Sequence, residues 1–171
     1  MSTTAPTVQS VREEHEQFVP HIEDIRKVAD SVGRVSTKSL LGRLEEVHGF
    51  LAHRLIPHAV AEGRLMLPLV RRLPEGGEAA LGMNQCHVQV GRFTDELESA
   101  MKRARTEGLN RELENDLRRI LYGTHALLSA HFAQAEEVLG AAVEAERTPD
   151  QRAELFEAVE RSAREVSDQY E

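Results

Sequence analysis

With 171 residues, 40% of them hydrophobic, the chain is long enough to bury a real core, and nothing in it marks a second domain. Its 29 acidic residues outweigh 21 lysines and arginines, a net charge of −8, and no basic face carries interleaved aromatics, which argues against a nucleic-acid partner. The single cysteine excludes an internal disulfide, and no apolar run approaches the roughly 18 residues that a membrane span requires.

Few aromatics, and Leu, Ala and Val set among many Glu and Arg, favour helices over sheet. Residues 1–9 are rich in Ser, Thr, Ala and Pro and are expected to be a disordered tail. The opening lacks the charged-then-apolar plan of a signal peptide, so a cytoplasmic chain is expected.

The first predicted helix starts at Ser10, with Glu13 as its capping-box partner, and carries the stripe Val11, Phe18, Ile22, Ile25, Ala29 and Val32. His15 falls into this stripe and His21 on its flank, while Pro20 should kink the helix. After Gly33, Ser36 is a plausible cap for a second helix that runs to about Leu73 with Pro57 inside it. Its stripe reads Leu41, Leu44, His48, Leu51, Leu55, His58, Glu62, Leu65 and Leu69. His58 and Glu62, four residues apart, leave the same face.

The third helix, about Glu78 to Thr106, places His87 among Ala80, Met83, Val90, Leu97 and Met101. The fourth follows the Gly108 and Asn110 turn and carries Leu113, Leu117, Leu121, His125, Leu128, His131, Ala135, Val138 and Ala142, with Glu136 five residues after His131. Thr148-Pro149-Asp150 opens a final amphipathic helix through Leu155, Phe156, Val159 and Val166. The expected fold is all-α: an antiparallel up-down-up-down four-helix bundle over residues 10–146, with an additional C-terminal helix over 147–171.

In such a bundle, residues about equally far from a shared turn come level, at ~1.5 Å per residue. His15 and His58 meet this condition across the first turn, and His87 and His131 across the third. A buried carboxylate needs a compensating cation, metal or strong hydrogen-bond donor, and four histidines in register, with Glu62 and Glu136 nearby, predict a metal site. Imidazole and carboxylate suit iron, manganese or zinc, and two carboxylates able to bridge suggest a dinuclear centre. His53 falls off its stripe and is expected to face solvent. His48 and His125 lie too far along the axis to join, and Cys86 is a core filler.

These residues resemble a bacterial hemerythrin-like, or HHE cation-binding, protein. The resemblance rests on VREEH at 11–15, LIPHAVAEGRLMLP at 55–68, His87, and HFAQAEEVL at 131–139. It implies a non-haem di-iron centre bridged by oxygen and two carboxylates, with His15, His58, Glu62, His87, His131 and Glu136 as ligands. Two departures stand out. Met83 and Gly91 occupy the places of a second third-helix histidine, a gap that water, another carboxylate or His21 would fill. Ala135 stands where many relatives carry Glu, which leaves the bridging role to Glu136.

The resemblance implies a monomer or homodimer that binds or senses O2, or reacts with peroxide or nitric oxide. A metal-responsive regulatory protein without redox turnover is the alternative. A ferritin-like oxidase would require Glu-x-x-His on two helices, and only Glu45 to His48 matches.

Overall fold

The computed structural model describes residues 11–168, so the expected tail and the Ser10 cap lie outside the described residues. Among those described, every regular element is helical: α1 (Val11–Glu16), α2 (Val19–Ser31), α3 (Thr37–Phe50), a π-helical turn (Leu51–Leu55), α4 (Ile56–Leu65), α5 (Leu67–Val70), α6 (Gly76–Glu107), α7 (Arg111–Glu146) and α8 (Pro149–Asp168).

Proline accounts for most of the interruptions. The kink expected at Pro20 is a full break: α1 stops at Glu16, whose carbonyl Pro20 cannot serve, and α2 restarts with Pro20 in its first turn. The Phe18 amide closes the gap by a short bond to His15 O at 2.9 Å. The single second helix expected from Ser36 to Leu73 is likewise divided, at Met66 just ahead of Pro68 and by the π turn just ahead of Pro57. In that turn the Ile56 amide reaches five residues back to Leu51 O. Pro57 has no N–H for the His53 carbonyl, and the Ser167 hydroxyl of α8 donates to it instead at 3.0 Å.

The caps read from sequence are present where they can be seen. Ser36 Oγ accepts from the Ser39 amide at 3.2 Å, and Asn110 Oδ1 accepts from the Leu113 amide at 2.8 Å. Thr148 and Gln151 exchange backbone amides and side-chain oxygens in a capping box that opens α8. At the turn into α6, Glu75 adopts a left-handed conformation (φ 59°), and a Cβ at Gly76 would collide with the Val70 carbonyl oxygen.

α2 packs on α3 and α7, α6 packs on the same two, and α8 lies along α4. The apolar interior divides into two clusters. One is built on Phe18, Leu44, Leu55, Val90, Leu97, Leu121 and Phe132. The other is built on Val11, Ala61, Met83, Leu139, Phe156 and Val159. Polar residues stand where two of the limbs pass between the clusters, His15 between Val11 and Phe18 and His58 between Leu55 and Ala61, and His87 and His131 lie beside the same boundary on α6 and α7. No helix among the described residues is long and apolar enough to cross a membrane.

Candidate metal centre

Glu62 is the hub of that polar layer and is fully buried. Four turns of helix deliver four imidazoles to it, and each of its oxygens serves a separate pair. Oε2 stands 3.5 Å from His15 Nε2 and 3.6 Å from His58 Nε2. Oε1 stands 3.2 Å from His87 Nε2 and 3.7 Å from His131 Nε2, and those two nitrogens are 3.3 Å apart. Two groups therefore form, His15–His58–Glu62 and Glu62–His87–His131, the donor atoms of each lying within 4.8 Å of one another. Donor atoms about 2.0–2.1 Å from one ion are spaced about 3.0–3.4 Å along a tetrahedral or octahedral edge, close to the separations found.

Hydrogen bonding tests whether these residues suit a cation. Seven buried side-chain nitrogen and oxygen atoms among the described residues have no hydrogen-bond partner: both oxygens of Glu62, both ring nitrogens of His15, His58 Nε2, His131 Nδ1 and Glu14 Oε2. All seven belong to this one layer. An unsatisfied buried polar group costs about 1–3 kcal/mol, so the unpartnered Glu62 oxygens and the Nε2 atoms of His15 and His58 favour a compensating cation between them. The donor set fits.

The protonation states fit as well. Burial pushes the Glu62 carboxyl up, but His15, His58 and His87 outweigh it and hold the group well below the usual carboxylate range. Burial lowers the His131 imidazole to about 4, against the opposing pull of Glu62. An ionised carboxylate and a neutral imidazole are the forms in which these groups bind a metal.

The walls are aromatic. Phe132 stacks on His15 at 4.3 Å between centroids, and Phe18 lies 4.9 Å from His58. Cys86 belongs to the neighbouring apolar cluster, with Sγ 3.9 Å from Leu127 O, and burial pushes its thiol up to about 11.

Of the six residues expected at the site, His15, His58, Glu62, His87 and His131 converge. Glu136 does not: it is exposed, whereas Ala135 is fully buried. Five residues on a helix turn a side chain about 140° from its starting face, and four turn it only about 40°, so position 135 looks inward. His21 is also elsewhere, its Nε2 2.7 Å from Arg54 Nη1 and its ring stacked on Phe50 at 4.5 Å. His53 is exposed as expected, and His125 pairs with Glu23 at 3.4 Å.

Sequence reasoning missed Glu14. It is buried, with Oε1 3.5 Å from His58 Nδ1. Burial above all, with Glu62 and Glu160 adding and His15 opposing, raises its carboxyl to about 8. The signal was present, since Glu14 falls on the inward side of Val11 and Phe18, spaced three and four residues from them.

A family model for the hemerythrin HHE cation binding domain matches residues 7–143. Comparison with curated proteins and with solved structures returned no match in either set.

Proposed function

From the premise that this chain belongs to the hemerythrin HHE cation-binding domain family, we propose that it is a non-haem di-iron protein. It binds or senses O2, or reacts with peroxide or nitric oxide, at the centre around Glu62. The observation that carries the reading is the division of the Glu62 carboxylate, one oxygen toward His15 and His58 and the other toward His87 and His131. A carboxylate so placed could hold one ion with each histidine pair. In this reading α1 to α7 form an antiparallel up-down-up-down bundle of four helical limbs, and α8 is an addition to it.

When bound, a pair of irons supplies two electrons to a small diatomic or peroxide ligand. The chain supplies the rest. His15, His58, His87 and His131 would hold the ions through Nε2, with Glu62 between the two pairs. Glu14 Oε1 stands 3.5 Å from the opposite nitrogen of His58, where it would accept from Nδ1–H and fix the ring's tautomer. Phe18 and Phe132 keep bulk water from the imidazoles and strengthen electrostatic contacts inside. Each ion would be held by two histidines and one oxygen of Glu62, which would leave room for a small ligand.

The experiment is elemental analysis of protein from iron-supplemented cells, with ultraviolet-visible spectra before and after reduction. Close to two irons per chain and a charge-transfer band that responds to reduction are expected. Zinc, or no metal with no spectral response, would refute the reading.

A second reading has one observation in its favour: α8 packs along α4, the helix that carries His58 and Glu62. Metal occupancy would then set the docking of α8, with no redox turnover. Tight, spectrally silent metal binding that changes protease sensitivity within α8 would favour it.

A further inference from the structure

A concavity of about 720 Å³ lies between α2, α3 and the π turn, and none of the five histidine and glutamate side chains that converge at the metal centre lines it. Its floor is apolar, formed by the buried side chains of Val28, Val47 and Phe50. Its rim carries three cations, Lys27, Arg43 and Arg54. Lys27 is already matched by Asp24 at 2.8 Å. Neither Arg43 nor Arg54 is paired with a carboxylate among the described residues, and only Glu46 on the rim opposes them. Excess positive charge in a concave site is notable on a chain of net charge −8.

Arg54 is held in place rather than free. Its guanidinium lies over the rings of Phe18 and Phe50 at 5.7 and 5.9 Å, and Nη1 is 2.7 Å from His21 Nε2. His21 in turn stacks on Phe50. One edge of the planar fork is thus fixed, and the remaining N–H groups stay available in the geometry that matches a carboxylate. A site of this size, with an apolar floor and a few convergent polar groups, is built for a small molecule.

We propose that the groove between α2 and α3 binds a small amphipathic carboxylate, its acid group on Arg54 and Arg43 and its apolar or aromatic body on Val28, Val47 and Phe50. The apolar floor favours such an acid over a bare inorganic anion, which would leave that surface in water. This site also gives His21 its role, as the group that orients Arg54. The proposal does not rest on the metal centre.

Titration calorimetry of the full chain with benzoate tests it, with neutral benzamide and inorganic phosphate as comparisons. Saturable benzoate binding at about 1 mM or tighter is expected, weakened about tenfold or more by Arg43→Gln and by Arg54→Ala. Benzamide and phosphate should bind much more weakly. If Arg54→Ala lowers the melting temperature, Arg54→Lys keeps the charge but loses the fork, and weaker binding at an unchanged melting temperature is expected. No saturable binding, equal binding of benzamide or phosphate, or indifference to both arginine substitutions would overturn the proposal. So would loss of benzoate binding after chelator treatment, which would place the acid at the metal centre instead.

Discussion

Glu14 Oε1 lies 3.5 Å from Nδ1 of His58, on a ring whose other nitrogen stands 3.6 Å from Glu62. The imidazole is held between two buried carboxylates supplied by different helices. Outer partners of this kind typically change metal affinity 10–100-fold when removed, because they fix the tautomer and orientation of the ligand. Glu14→Gln should therefore weaken metal binding by roughly that factor while leaving the helical content unchanged, as measured by competition with a chromophoric chelator. Affinity equal to that of the unmodified chain would show that Glu14 does not orient His58.

Removal of the hub is more severe. Glu62→Ala and His58→Ala should each lose most of the bound metal, and His53→Ala, at an exposed position, should lose none. Elemental analysis of the three purified variants decides the matter. Equal loss from all three would mean that the converging histidines are not the ligands.

Glu136 and His21 provide the complementary test. Neither side chain joins the cluster, so Glu136→Ala and His21→Ala should retain the parent's metal dissociation constant within about twofold, a free-energy change of less than ~0.5 kcal/mol, by chelator competition. A large loss from Glu136→Ala would require α7 to turn in the loaded protein.

Metal-free protein should show a distinctive dependence on pH. Glu14 has a folded pKa of about 8 against an ordinary 4.5, so the folded chain binds the extra proton. Its contribution is fully present below pH 4.5 and is lost as pH rises toward 8. His131 has the opposite sign: lowered from 6.5 to about 4, it contributes above pH 6.5 and loses that contribution as pH falls toward 4. Of these two, only Glu14 acts between pH 6.5 and 8. Thermal melts of chelator-treated protein should fall across that window by the equivalent of roughly 1–2 kcal/mol, and Glu14→Gln should flatten the slope. A flat profile in the parent would contradict the raised carboxyl.

Phe156 is fully buried in the cluster to which α1, α4, α5, α6, α7 and α8 all contribute. Phe156→Ala should cost about 3–5 kcal/mol, read by denaturant unfolding. A cost under about 1 kcal/mol would mean that α8 docks only loosely.

Much of this was legible because one period governs it. His15, His58, Glu62, His87 and His131 replace apolar residues in stripes of helical spacing, and equal distance from shared turns placed them level. The same arithmetic fails where the backbone leaves the 3.6-residue repeat. A continuous second helix puts Leu41 and His48 in the stripe, yet Leu40 and Val47 are the buried residues and Leu41 and His48 are half-buried. The expectation of a second carboxylate near His131 points to Glu136, but helical angle alone places that side chain outward. Glu14 escaped notice because a charged residue beside two exposed neighbours, Arg12 and Glu13, reads as part of a solvated face.

The π turn at Leu51–Leu55 inserts the equivalent of one residue into the helix, a phase change of roughly 90–100° between the halves on either side of it. The limb that appears continuous is thus indexed twice. Upstream, Leu40, Leu44 and Val47 are set by the apolar core; downstream, His58 and Glu62 are set by the centre. A one-residue insertion that the turn cannot absorb would conserve every ligand in composition and order, yet rotate the downstream half by about 100° and scatter the donors. Chain length between Phe50 and Ile56 is therefore as much a part of the metal site as the side chains themselves.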